Sequence, residues 1–150
     1  MPTELVKGDL FEDAGKAFAF GAECDGTMDS GVASAFKKRW PALAAAFATA
    51  KLEPGDVFAW SEGGVTVYAL GLAREGKKPK VSTLERALRA MVDRATKDGV
   101  ARVALPRLGG GKSGLDWTRV KRILEELGGA TTLQIVCYEQ FIRQKPEATS

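Results

Sequence analysis

Two glycine-rich stretches, Gly26-Thr27-Met28-Asp29-Ser30-Gly31 and Gly109-Gly110-Gly111-Lys112-Ser113-Gly114, are the parts of this sequence best suited to hold an anion. Each lies between a strand pattern and a helix pattern. At such a junction backbone N–H groups and the positive helix end converge, and no Cβ blocks close approach of a phosphate. A pair of them is expected to grip a diphosphate from both sides.

The second stretch imitates two nucleotide motifs. Gly111-Lys112-Ser113 looks like the end of a P-loop, but Pro106 stands where that motif needs its first glycine. Gly109, Gly111 and Gly114 fit the dinucleotide pattern G-x-G-x-x-G, with Glu139 just past the next strand. No further strand-helix repeats follow to build a second mononucleotide half, so neither ATP hydrolysis nor nicotinamide redox chemistry is expected.

Side-chain catalysts are few. The chain has no histidine, which excludes a Ser-His-Asp triad, a Cys-His pair and any imidazole base. Cys24 and Cys137 have no metal-ligand spacing and are expected to be reduced, and Cys24 is read as a buried structural thiol rather than a nucleophile. No metal and no cofactor are expected. The net charge is +3, with basic clusters at Lys37-Lys38-Arg39 and Lys77-Lys78-Pro79-Lys80. These read as solvated surface or as polyanion contacts.

The elements that must position these residues follow from periodicity. Leu5 to Phe11 reads as a short strand ending at a glycine and an acidic residue, and Ala17 to Ala22 as a strand buried on both faces. A helix spans Val32 to Arg39, and Pro41 separates it from an alanine-rich helix around Leu43 to Ala50. Val57–Trp60 and Val65–Leu70, around Gly63-Gly64, form an antiparallel hairpin, followed by a basic loop from Gly71 to Lys80. Ser82-Thr83-Leu84-Glu85 has capping-box form and opens a helix that stops at Gly99. Strand Val103–Leu105, helix Asp116–Leu127 and strand Leu133–Tyr138 complete the pattern, with Gln140 to Ser150 as a polar, frayed tail.

Alternating strands and helices with one hairpin predict an α/β fold: a mixed central sheet with helices on both faces. At 150 residues the chain is expected to be a single domain over residues 1–143, with a tail at 144–150. The N-terminus lacks signal-peptide character and no apolar run is long enough to span a bilayer, so a cytoplasmic protein without membrane contact is expected.

An ordered set of segments resembles the macrodomain family: Val6 to Phe11, then Cys24 to Ala33 with Phe36 to Pro41, then Leu105 to Gly111 with Gly114 to Trp117. The set spans nearly the whole chain and looks closest to a subgroup that includes protein and DNA ADP-ribosyl glycohydrolases. The resemblance implies a three-layer α/β/α sandwich with ADP-ribose in a cleft at the strand ends. Asp9 then matches the acceptor of the adenine amino group, with Leu10 beside it, although an Asp after a strand is also a common turn cap. Gly26, Thr27, Met28, Ser30, Gly31 and Val32 match the loop around the distal ribose and diphosphate. Leu108, Gly109, Gly110, Gly111, Lys112, Ser113, Gly114 and Leu115 match the loop that closes over the diphosphate. Tyr138 matches an aromatic near adenine, or is a sheet-rim aromatic.

The chain departs from that pattern where catalysis is concerned. The resembled protein glycohydrolase uses a lysine after the hairpin strand and an acidic residue in the second loop; the corresponding positions here are Leu72 and Ser113. Glu23 stands where relatives often carry asparagine or serine, and Asp29 replaces a loop glycine. The expected activity is removal of mono-ADP-ribose from acidic protein side chains or from DNA thymidine by direct attack of water on the distal ribose, with Glu23 or Asp29 as base or electrostatic stabiliser and the substrate diphosphate assisting. The alternatives are a cap or ion-pair role for these carboxylates and an ADP-ribose reader without turnover. The expected partners are ADP-ribose, ADP-ribosylated protein and ADP-ribosylated DNA, met by a monomer.

Overall fold

The computed structural model describes residues 2–28, 31–74, 76–108 and 114–141. Its strands are β1 (Glu4–Gly8), β2 (Ala17–Glu23), β3 (Val57–Glu62), β4 (Val65–Ala73), β5 (Arg102–Pro106) and β6 (Gln134–Phe141). Its helices are α1 (Gly31–Arg39), α2 (Pro41–Thr49), α3 (Val81–Lys97) and α4 (Trp117–Gly129), with a 3-10 turn at Leu10–Glu12. The strands form one sheet in the order β1-β6-β5-β2-β4-β3. All neighbours are parallel except the β3–β4 hairpin. The expected mixed sheet is therefore present.

Alternation of residue size along the strands decides what covers each face. Ala17 and Ala19 of β2 and Tyr68 and Leu70 of β4 point to the side that receives Leu84, Leu88 and Met91 of α3 and Leu124 of α4. Phe18, Phe20, Val67 and Ala69 point the opposite way, against Phe36 of α1 and Leu43 and Phe47 of α2. Helices lie on both faces, giving the three-layer α/β/α sandwich. Each fully buried Phe or Leu contributes roughly 1.5–3 kcal/mol of transfer free energy, so the two clusters jointly fix the layer order.

Local chemistry adjusts several boundaries. Leu10 and Phe11 leave the strand for the 3-10 turn because the Asp9 carboxylate accepts from Phe11 N–H at 3.0 Å and caps that turn. The hairpin strand runs on to Ala73, so Gly71–Ala73 belongs to β4 and not to the basic loop. Ser82 is the second residue of α3 rather than its cap; the helix starts from extended Lys80, whose carbonyl receives Leu84 N–H at 3.1 Å, so the capping box does not form. The same helix ends as expected: Gly99 has φ +74°, and Gly99 and Val100 donate to Thr96 and Ala95 in a Schellman closure. Gln140 and Phe141 lie in β6, not in the tail, while 142–150 and with them the expected 143/144 boundary fall outside the described residues.

Five parallel strands send their C-terminal ends to one edge, so the connections after β1, β2, β4 and β5 meet there. Two β-bulges mark this edge. Ala22 pairs with Gly71 and Glu23 with Ala73, leaving Leu72 as the extra residue of β4. Val6 pairs with Tyr138 and Lys7 with Gln140, leaving Glu139 as the extra residue of β6. Bulges re-aim side chains at sheet ends.

Candidate functional site

Pairing of Phe18 with Ala104 sets β2 against β5, and β5 ends at Pro106 while Gly21, Ala22 and Glu23 run past it. Above this step lies a cavity of about 750 Å3, within the size range of small-ligand sites. Its floor is Gly21, Ala22, Leu72 and Ala73. One wall is Thr27, Met28 and the first turn of α1, Gly31 to Ala33; the other sides are Lys77, Lys78, Pro79 and Gly114.

Each wall has a local cause. The carboxylate of Asp25 receives both the N–H and the hydroxyl of Thr27 at 2.9 Å, which turns the chain after β2 toward α1. Gly26 at φ +81° makes the turn possible, and its Cα faces α2, where an added Cβ would stand 3.3 Å from the Ala48 carbonyl. Because Gly31 to Ala33 line the cavity, the first-turn N–H groups and positive end of α1 are at its wall. On the far side Gly114, at φ +72° with open space where a Cβ would be, precedes Asp116, which caps α4 by accepting from Thr118 N–H at 3.0 Å.

The predicted residues divide accordingly. Glu23, Thr27, Met28, Gly31, Val32 and Gly114 come together in this cavity. Met28 contributes from the core, being 2% exposed. Asp29, Ser30, Gly109, Gly110, Gly111, Lys112 and Ser113 lie outside the described residues. Leu10, Leu108 and Leu115 are buried, so their side chains serve the hydrophobic core and what they offer a ligand is main chain. Asp9 follows the end of β1 and Tyr138 lies in β6 opposite Val6, both away from the cavity lining; a Cβ on Gly8 would lie 3.7 Å from Tyr138 Cε2.

Tyr138 is held by a network the sequence did not announce. Its hydroxyl donates to Asp13 at 2.8 Å, and Arg102 clamps the same buried carboxylate through Nη2 at 2.7 Å and Nε at 3.0 Å. Burial pushes the Asp13 carboxyl up, but the Arg102 and Tyr138 hydrogen bonds and the Gly15 N–H outweigh it and hold it below its usual range. The Tyr138 hydroxyl is pushed up to about 12 by burial and by the adjacent carboxylate.

Among groups with reactive potential, Glu23 is the one acidic side chain among the described residues of the cavity lining. Cys24, beside it in sequence, has its thiol pushed up by burial, the opposite of an activated nucleophile. Leu72 lines the cavity at the place where the resemblance set it, whereas Gly21, Ala22, Ala33, Ala73, Lys77, Lys78 and Pro79 were missed as lining residues. The cue was the basic cluster itself, whose place at a strand end is visible only once β4 is seen to reach Ala73.

The macro domain family model matches residues 21–124 of the chain. The chain belongs to the macro domain family. The macro domain sequence is similar to the ADP-ribose glycohydrolase OARD1 of Homo sapiens, with 31% identity across 89% of this chain and 88% of that protein. It is also similar to the DNA ADP-ribosyl glycohydrolase of Thermus aquaticus, 28% identical over 97% of this chain, which corresponds to 43% of that relative's length. In three dimensions this macro domain matches the solved macrodomain of Thermus aquaticus DarG with a TM-score of 0.83 and 25% identity, covering 94% of this chain and 98% of that one.

Proposed function

We propose that the chain is an ADP-ribosyl glycohydrolase that binds ADP-ribose in the cavity at the sheet edge and removes mono-ADP-ribose from an acidic protein side chain or a DNA thymidine. The observation that carries this reading is the cavity itself: the α1 N-terminus and Gly114 face one another across a space of about 750 Å3 in a macro domain. The names of the relatives, an ADP-ribose glycohydrolase and a DNA ADP-ribosyl glycohydrolase, support the choice of ligand.

In this reading the diphosphate lies between Gly31 and Gly114, the distal ribose rests over Gly21 and Leu72, and adenine extends toward Asp9 and Tyr138. Glu23 ends β2 at the ribose side of the cavity and orients the attacking water or stabilises the positive charge that develops at the anomeric carbon. Asp29 is the second candidate for that role. The protein works as a cytoplasmic monomer without a cofactor.

Leu72 favours a second reading. The bulge points an aliphatic side chain at the floor, where the resembled enzyme would use a lysine, and a module that only reads ADP-ribose would look the same. The test is to incubate the protein with glutamate-modified protein and with thymidine-modified DNA and to quantify released ADP-ribose. Release from either supports the hydrolase; binding of both without release supports the reader.

A further inference from the structure

The charged side chains among the described residues of the cavity lining are Glu23, Lys77 and Lys78, and they come from different layers. Glu23 ends β2 and pairs with Ala73 in the sheet, at the level of the floor. Lys77 and Lys78 stand in the connection from β4 to α3, on the side of the sheet that α3 covers, while the first turn of α1 lines the cavity from the opposite face. That connection is held at both ends. Arg74 pairs with Glu53, Lys77 N–H donates to the Arg74 carbonyl at 3.0 Å, and beyond Pro79 the Lys80 carbonyl accepts from Leu84 N–H. Among the described lining residues the one hydroxyl is that of Thr27, and it donates to Asp25 at 2.9 Å. The lysine ammonium groups are therefore the side-chain cations and proton donors that this part of the cavity turns toward a substrate.

We propose that Lys77 and Lys78 are catalytic residues on the leaving-group side, whose ammonium groups stabilise the anion released when the bond to the distal ribose breaks. The inference rests on the glycohydrolase reading and adds to it the counterpart of Glu23. Water adds to C1″ while its proton passes to Glu23. The bond from C1″ to the carboxyl oxygen or base nitrogen breaks, its electron pair departs on that atom, and Glu23 returns the proton to solvent. Many glycosidases supply a second carboxyl group to protonate the departing atom. No second carboxyl group stands in the described lining, and cations fixed beside the developing charge can take its place without a proton transfer. Lysines that served only the diphosphate would hold substrate and transition state alike, so the two roles separate kinetically.

The experiment measures single-turnover rates at saturating substrate for two ADP-ribosides joined at C1″, one to p-nitrophenol and one to phenol, whose anion is the less stable. Lys77→Ala/Lys78→Ala is expected to slow the phenyl substrate about 100-fold and the p-nitrophenyl substrate by less than about tenfold. The rate retained on the second substrate is also the check that the variant folds. Lys77→Arg/Lys78→Arg keeps the charge and is expected to keep the wild-type ratio of the two rates. Equal slowing of both substrates, slowing of neither, or an arginine variant whose ratio follows the alanine one overturns the proposal while leaving the glycohydrolase reading in place. Wild type that binds ADP-ribose and cleaves neither substrate overturns that reading, and the proposal with it.

Discussion

Leu72 lies over Gly21: a Cβ built on Gly21 would stand 2.7 Å from Leu72 Cδ1 and 3.8 Å from Leu108 Cδ2. The floor of the cavity therefore depends on a missing side chain in β2 and an extra residue in β4. Gly21→Ala should push Leu72 up into the ribose region. ADP-ribose affinity by calorimetry should fall about tenfold, roughly 1.4 kcal/mol, and Leu72→Ala in the same chain should recover most of it.

Gly71 is required for a different reason. A Cβ there would collide with the Glu53 carbonyl and come within 3.2 Å of Cys24 Sγ, and backbone cannot yield as a side-chain tip does. Gly71 also bonds Asp56 O and Gly55 N, locking the turn before β3 to β4. Gly71→Ala should cost about 1–3 kcal/mol by overpacking, read as a lower urea midpoint with an unchanged m-value.

The Asp13 network makes stability depend on pH at both extremes. The folded carboxyl of Asp13 titrates below its ordinary value, so its contribution is complete above the unfolded value, about 3.9, and is lost as pH falls through the folded one. For Tyr138 the sign is reversed: its folded value is raised to about 12, so its contribution is complete below the unfolded value of about 10 and is lost as pH rises toward 12. Asp13→Asn should flatten the acid limb of a stability–pH curve and cost about 2 kcal/mol at neutral pH, less than a fully buried pair because Arg102 is partly solvated.

Glu23 should matter to turnover and little to folding, since it is exposed at a strand end. Glu23→Gln is expected to lower the single-turnover rate about 100-fold with ADP-ribose affinity within a factor of about three and an unchanged melting profile. Full activity in both Glu23→Gln and Asp29→Ala would end the carboxylate mechanism.

The layers were legible because Phe18 and Phe20 alternate with Ala17 and Ala19, and because Leu84, Leu88 and Met91 repeat at helical spacing. The junctions around Gly31 and Gly114 were legible because positive φ selects glycine there. What escaped was set by contacts between distant segments. The bulges at Leu72 and Glu139 depend on partner strands, and the Tyr138–Asp13–Arg102 clamp joins residues 125 and 89 positions apart. Ser82 misled because the helix begins one residue earlier, with Val81 packed against the core below it. A capping-box spelling cannot report that.

A crystal structure of the chain grown with ADP-ribose tests the central claim most directly. The prediction is a diphosphate between the first turn of α1 and Gly114, with the distal ribose above Gly21 and Leu72 and within reach of Glu23. Density for the ligand at any other place, such as the depression between Lys7 and Arg107, or no ligand at saturating concentration, would contradict it.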